Sequence, residues 1–576
     1  MSEPVGLRWF TEHLPRLDRA VKACRDRAYW SPFQESPSRK HWGETAKTDG
    51  LAAYEALLGH AFDLDLPGVD GEVGGEVSPW TGEPLGVSYP RVDPTALLDA
   101  VQRATPRWAR ASPSERVGVC MEMLARLADD SFVNAHATMH TTGQPFLMAF
   151  AGSGANSLDR GLEALAMACV AMDQIPAEAQ FARRFGRGPE VVLRKRYRVV
   201  PRGIALVMAC GTYPAWNAWP AVFANLATGN AVVLKPHPDT ILPVALGVRR
   251  LREVLAEAGH DPNLVSLAVD TWHEPVAQRF LDDARVGIVD FTGGQRFGRW
   301  LETRARQQVF TETAGCNAVV LESARDLDAA LSAVAHSLCS FSGQMCTTAQ
   351  NIWLPAEGVR DGDEVVPVEQ VIARLVAAVD RWLDAPDKAR NVAGAVHSEA
   401  TLQALAELTE AAGSRGKVWR HSRPLPEAGP ARTASPLVAQ LPAEARDLYG
   451  REHFGPVGLV MVATDRDEAL RCAARDAGEL GSIASYAYTT DAAFAEQVED
   501  AFVGAGASVG INLLRQLPIN YAAAYSDFHV TGLNPAGTAT LTDLAFFAGR
   551  FGVVQCKVEF PDDALDEEGE GTARSR

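Results

Sequence analysis

Apolar positions recur along this chain at two different periods, and the change of period divides it. Near the start Leu14, Leu17, Val21 and Cys24 fall on one stripe of an amphipathic helix. A turn-rich tract from residue 29 and a Gly-rich passage over 68–75 follow, and together they predict a wrapping extension over residues 1–77. From 93 to 130 and from 154 to 173 apolar residues return at helical spacing, which predicts long helices packed on a sheet. Short apolar runs at 204–209, 231–234, 264–269 and 286–291 then alternate with helical tracts such as 242–258, the pattern of a parallel, doubly wound α/β sheet. A second alternation at 317–321, 351–354, 458–462, 485–488 and 507–511 predicts a second α/β domain. Residues 561–576 are acidic and polar and read as a disordered tail.

Length supports more than one unit, since 576 residues exceed the roughly 250–300 at which a single core stops growing. With 47% apolar and 22% charged residues the chain is an ordinary globular one rather than a disordered one. A net charge of -17 without a basic stripe argues against nucleic acid and anionic membrane surfaces as partners. No apolar run of about 18 residues and no basic, apolar leader is present, so the expected location is cytoplasmic. The nine cysteines are scattered, which predicts neither a disulfide framework nor a zinc knuckle. No His/Cys/Asp grouping has metal-ligand spacing, and no metal is expected.

Candidate chemistry collects where strands end. Gly211-Thr212-Tyr213-Pro214 joins the run at 204–209 to a helix, a turn able to present N–H groups to an anion. Lys235 closes the next strand, on the edge where open α/β sheets bind ligands. Phe291-Thr292-Gly293-Gly294 is another Gly-rich turn that opens a helix. Glu312 follows in Phe310-Thr311-Glu312-Thr313-Ala314-Gly315, and Cys346 comes later in Ser342-Gly343-Gln344-Met345-Cys346-Thr347. Each residue alone has a bland reading, a solvated Lys or Glu or a core Cys; the combination does not.

These segments, in this order from about Ser78 to Cys556 and together with Ala227-Thr228-Gly229-Asn230 and Glu452-His453-Phe454-Gly455-Pro456, resemble the aldehyde dehydrogenase superfamily. Within it the chain looks most like the phenylacetate-degradation type called PaaN, by its long N-terminal extension and its Cys-Gly-Thr-Tyr-Pro and Glu-Thr-Ala-Gly variants. The resemblance implies a Rossmann-like cofactor domain over 78–310 with an arm hairpin near 183–198. It also implies a catalytic domain over 311–525, a return to the cofactor domain and arm over 526–560, and a homo-oligomer.

It implies further that Cys346 adds as thiolate to an aldehyde and that Glu312 activates the water which releases the acid. By the same resemblance Lys235 holds the adenosine ribose, Glu452 the nicotinamide ribose, Phe454 flanks the nicotinamide, and Gly293 and Gly294 leave room beside the pyrophosphate of NADP or NAD. Two positions depart from the family pattern. Thr212 stands where the family carries its oxyanion-hole Asn, with Asn217 the nearest amide; Tyr213, Trp216 and Asn217 are assigned to the substrate wall. Pro238 stands where NAD-preferring relatives carry Glu, so NADP is expected to be tolerated. The substrate implied is an aldehyde, by the closer resemblance a semialdehyde bearing a CoA thioester. A CoA-acylating dehydrogenase and a silent scaffold of the same fold are the rival readings. Cys210, Cys339, His453 and His529 are placed in the structural class.

Overall fold

The first sheet is built from the runs that are apolar without alternation, because a parallel strand covered on both faces has no polar side. A computed structural model describes residues 3–313, 315–425, 428–515, 524–539 and 543–559. In it Val265–Leu267, Ala231–Lys235, Ile204–Met208, Val286–Gly293 and Gln308–Thr313 lie side by side in that order, all parallel. The winding reverses between Ile204–Met208 and Val286–Gly293, which opens a crevice at the carboxyl ends of those two strands.

Helices Pro94–Arg110, Pro113–Asp129, Ser157–Asp173, Pro214–Ala227 and Leu242–Glu257 belong to the same core. The apolar tract 93–130 is two helices because Ser112 caps a fresh start, accepting from Glu115 N at 3.1 Å with Pro113 at the first position. Helix Pro214–Ala227 ends against side chains: Trp108 Nε1 donates to the Leu226 carbonyl at 3.0 Å and Arg116 Nε to that of Ala227 at 2.9 Å. The tract expected as helix from 154 begins instead as a π-turn over Gly152–Asn156, where Gly154 has φ -94 and ψ -114, and becomes regular at Ser157.

The N-terminal region is more ordered than a wrap. Helix Val5–Asp26 packs on Pro113–Asp129, and a Cβ on Gly118 would come within 2.6 Å of Phe10 N, so that close approach requires glycine. Of the predicted stripe Leu17 and Cys24 are buried, while Leu14 is 36% exposed; Trp9 and Ala20 complete the buried face. The Gly-rich stretch is a strand, Val69–Gly74, antiparallel to Ser88–Val92, with Gly68 and Gly75 at φ 75 and 147 bracketing it. Its glycines serve the ends of a strand, which is why composition alone suggested a loop.

The second sheet has seven strands in the order Lys417–Arg420, Leu437–Leu441, Val457–Ala463, Asn351–Pro355, Ala318–Leu321, Ser485–Tyr488 and Val509–Ile511; only the first pairing is antiparallel. Lys417–Arg420 and Leu437–Leu441 were absent from the expected set. The former is a four-residue edge strand with charged ends, and the latter follows a long loop without alternation.

A boundary expected between residues 310 and 311 would cut Gln308–Thr313, which pairs with Val286–Gly293. Glu312 therefore stands on the outer strand of the first sheet, and the chain crosses to the second only at Ala318–Leu321.

Glu178–Arg184 and Glu190–Pro201 form a hairpin, and Phe551–Glu559 adds antiparallel to its longer strand. The returning chain is fastened by buried Arg550, whose two nitrogens donate to Asp290 at 2.8 and 2.7 Å, while Asn225 Nδ2 donates to Asp290 Oδ2 at 2.8 Å. The acidic tail lies outside the described residues. Among the described residues no helix is long and apolar enough to cross a membrane.

Candidate active site

The crevice at the switch point widens into a cleft of ≈ 750 Å³ between the two sheets. All eleven residues expected from the sequence line it: Thr212, Tyr213, Trp216, Asn217, Lys235, Gly293, Gly294, Glu312, Cys346, Glu452 and Phe454.

Cys346 is held by its backbone. Helix Leu327–Cys339 runs into three consecutive left-handed residues, Phe341, Ser342 and Gly343, at φ 48, 50 and 66. Such a turn costs roughly 1–3 kcal/mol for each non-glycine residue and persists only where its surroundings impose it. Ser342 Oγ donates to the Ala393 and Ala434 carbonyls at 3.1 and 3.2 Å, and Gln344 Nε2 donates to those of Phe341 and Ala395, both at 3.0 Å. Beyond the turn Asn317 Nδ2 donates to the carbonyls of Cys346 and Thr348 at 2.7 and 3.1 Å, while its Oδ1 accepts from the N–H groups of Ile483 and Ala484 at 3.0 and 3.1 Å. Asn317 thus locks the cysteine's main chain to the second sheet, a task the sequence did not reveal.

Around the thiol, burial pushes Cys346 well above the ordinary thiol value, and the Glu312 carboxylate, Cys210 and Glu452 push it the same way. His529 Nε2 lies 3.5 Å from Cys346 Sγ and 3.2 Å from Glu312 Oε1. Asn217 Nδ2 donates to the same Glu312 oxygen at 2.9 Å. Burial acts to raise the Glu312 carboxyl, but His529, the Arg160 guanidinium and the Asn217 amide outweigh it and hold it below the ordinary carboxylate range. A carboxylate so placed is ionised at neutral pH.

The Asn217 amide is therefore engaged with Glu312. Thr212 is largely buried, lines the cleft and accepts from Gln144 Nε2 at its carbonyl, at 2.6 Å, which holds its turn in place. Tyr213 meets Met148 Sδ through its hydroxyl at 3.0 Å and Phe341 edge-on, with centroids 5.8 Å apart. Trp216 is edge-on to His529 at 4.8 Å and lies beneath the Arg160 guanidinium at 4.7 Å. An aromatic and methionine wall thus borders the thiol.

Toward the first sheet, Lys235 Nζ is paired with Asp270 Oδ1 at 2.7 Å. Asp270 also lines the cleft, so a carboxylate stands beside Lys235 although Pro238 supplies none. No atom lies within 4 Å of where a Cβ on Gly294 would stand, whereas a Cβ on Gly293 would meet the Phe291 ring at 2.7 Å. Openness to a ligand is therefore a property of Gly294; Gly293 answers in the first place to the chain's own aromatic ring. Glu452 is pushed up to about 8 by burial.

Among the residues read as structural, Cys339 is fully buried and its thiol is pushed up to about 12, as a core position would be. Cys210 lines the cleft with its sulfur 3.4 Å from Tyr213 N. His453 turns its ring to the Leu448 carbonyl at 2.7 Å. His529 differs from these, since it touches both Cys346 and Glu312. His237, Asp239 and His397 also converge, a grouping that spacing along the chain could not show. Asp239 accepts from Trp272 Nε1 at 3.0 and 3.2 Å and its N–H donates to His237 Nδ1 at 3.3 Å, while neither ring nitrogen of His397 has a hydrogen-bond partner among the described residues.

Comparison with known proteins gives a consistent answer. The profile described as "Aldehyde dehydrogenase family" matches residues 72–519. The crystal structure of an NAD-dependent aldehyde dehydrogenase from Burkholderia multivorans is 41% identical, covering 96% of this chain and 99% of that one with a TM-score of 0.92. Curated relatives are more distant. 1-Pyrroline-5-carboxylate dehydrogenase 1 of Halalkalibacterium halodurans is 24% identical over 74% of this chain and 80% of its own length. The betaine aldehyde dehydrogenase of Cereibacter sphaeroides is 27% identical over 73% and 84%.

Proposed function

The chain belongs to the aldehyde dehydrogenase family, and from that premise we propose that it oxidises its aldehyde to a carboxylic acid through an enzyme-bound thioester, with Cys346 as nucleophile and Glu312 as the base that activates water. The observation that carries this reading is the convergence of the two side chains, Glu312 from the outer strand of the first sheet and Cys346 from the turn before strand Asn351–Pro355 of the second, on a single imidazole nitrogen at 3.5 and 3.2 Å inside one cleft. Cys346 as thiolate attacks the carbonyl carbon, and the Thr212 hydroxyl is the donor nearest in sequence to the family's oxyanion position. After hydride loss the acyl group sits on Sγ. Glu312, ionised, removes a proton from water as it attacks that thioester, and the thiolate is expelled.

NAD or NADP fits the cleft. It lies at the switch point of a doubly wound sheet, its volume falls in the roughly 300–1,000 Å³ of cofactor sites, and helix Gln295–Arg304 begins at Gly294, without a side-chain cap and with open space above it. The bound nicotinamide supplies the hydride acceptor. Lys235 and Glu452 are assigned to its two riboses, Gly293 and Gly294 to the pyrophosphate and Phe454 to the nicotinamide edge.

The narrower reading is an enzyme of the PaaN type, cytoplasmic, acting on a CoA-linked semialdehyde in phenylacetate breakdown. Its support is the motif variants and the N-terminal extension. The arm sheet leaves Val200, Val553 and Val554 exposed, which supports assembly with further copies of the chain. Following nicotinamide absorbance with a panel of aldehydes, with and without CoA, and identifying the product tests the whole reading. Free acid is expected from an aldehyde in the absence of CoA; a strict CoA requirement and a CoA ester at the aldehyde-derived carbon would replace hydrolysis with acyl transfer.

A further inference from the structure

We propose that His529 is a third catalytic group of this site, a proton relay that takes the thiol proton of Cys346 on Nε2 and passes it to Glu312. The inference rests on the assignment of Cys346 and Glu312 above and adds the means by which a partly buried thiol beside a carboxylate ionises.

A thiol walled in by apolar groups and a neighbouring carboxylate resists ionisation, yet only the thiolate attacks a carbonyl. A base must therefore touch the sulfur. Glu312 makes no direct hydrogen bond to Sγ, whereas His529 Nε2 lies within sulfur hydrogen-bonding distance of it and 3.2 Å from Glu312 Oε1. One ring nitrogen thus faces both the proton's source and its acceptor. The ring is fixed there: its side chain is 9% exposed, Trp216 abuts it edge-on, and the Arg160 guanidinium backs Trp216. Residue 530 packs with Ile483 and Ala536 in the small apolar cluster against which Cys346 lies, so the loop bearing His529 is pinned to the thiol's own pocket.

The relay balances. The S–H bond breaks as an N–H bond forms on Nε2, which leaves thiolate beside imidazolium. That proton passes to Glu312 and on to solvent before the hydrolytic half-reaction, which needs the carboxylate free. When the tetrahedral adduct collapses and expels Sγ as thiolate, the proton that Glu312 took from water returns through Nε2 to the sulfur. Over a cycle, aldehyde, oxidised cofactor and water give carboxylate, reduced cofactor and two protons.

Charged and titratable groups facing this pair are Glu312 in contact, Arg160 behind Trp216, Cys210 and Glu452 near the sulfur, and Asp527 and Tyr486 from the adjoining loop and strand. The test reads Cys346 directly: the rate of iodoacetamide alkylation of its peptide by mass spectrometry, from pH 5 to 10, without aldehyde or cofactor. In the unsubstituted protein the rate should already be substantial at pH 7 and show a step below the ordinary thiol value of roughly 8.5. In His529→Asn and His529→Gln that step should vanish, with alkylation at pH 7 slowed at least about tenfold and rising about tenfold per pH unit. Turnover should fall about 10²- to 10⁴-fold, the usual range for a lost general acid–base group.

Unfolding midpoint and NAD binding report whether the variants fold. If they do not, the profile of the unsubstituted protein decides alone, since a single ionisation at or above the ordinary thiol value overturns the relay. Equal profiles in all three proteins also overturn it. Failure of the underlying assignment is read separately, as turnover that survives Cys346→Ala.

Discussion

The side-chain amide of Asn217 donates to Glu312 Oε1 at 2.9 Å, one turn into the helix that begins with Pro214. This bond stabilises the ionised carboxylate and so contributes to holding Glu312 below the ordinary carboxylate value, against the effect of burial. Removing it raises the carboxyl, and a base whose pKa is raised becomes active only at higher pH. Asn217→Ala should therefore move the acid limb of the pH–kcat profile upward, by about half a unit to one unit, where deacylation limits turnover. A limb that stays in place, or moves down, shows that the amide serves some other group.

Because that amide is engaged, the proposed mechanism needs another donor for the developing oxyanion, and Thr212, which lines the cleft, is the candidate. Thr212→Ala is expected to lower kcat by about 10- to 1000-fold while KM changes by no more than a few-fold, the signature of a donor used mainly in the transition state. Thr212→Ser, which keeps the hydroxyl, should recover most of the loss. Parallel losses in both variants would point to the turn's backbone rather than to the hydroxyl.

What the sequence disclosed and what it hid follow from the range of the interactions. The strands of the first sheet were legible because burial on both faces leaves uninterrupted apolar runs, as in Ile204–Met208. Lys417–Arg420 was hidden because an edge strand need satisfy only one neighbour. Glu312 and Cys346 were legible through the motifs around them. His529 carried no such signal, since its partner Cys346 is 183 residues away and the segment around it has no periodicity. Asp270 could have been found, because it follows the run at 264–269 at the same sheet edge that singled out Lys235.

Asp270 bears on coenzyme choice. Its carboxylate pairs with Lys235 at 2.7 Å and lines the cleft on the side assigned to the adenosine ribose, so it opposes a 2′-phosphate that Pro238 alone would tolerate. Asp270→Asn removes one negative charge and frees the lysine. The ratio of kcat/KM for NADP over NAD should rise by about tenfold or more, a differential of roughly 1.4 kcal/mol. An unchanged ratio would place the 2′ position away from this pair.

The most discriminating variant concerns Glu312 itself. Attack by Cys346 and loss of hydride need no activated water, whereas release of the acyl group as an acid does, so the two half-reactions should separate once the base is gone. Glu312→Gln keeps the shape of the side chain and removes the base. Mixed with aldehyde and cofactor, the variant is expected to give a burst of about one equivalent of reduced cofactor per site and then to stall as an acyl-enzyme, visible as added mass on the Cys346 peptide. If the carboxylate also receives the thiol proton through His529, the burst itself should slow as well as the steady state, and slow less at higher pH, where the thiol ionises unaided. A burst at the unsubstituted rate followed by a stall would leave Glu312 as the base for water alone. Steady turnover without a burst deficit or a stall would remove Glu312 from both steps, and with it the hydrolytic mechanism.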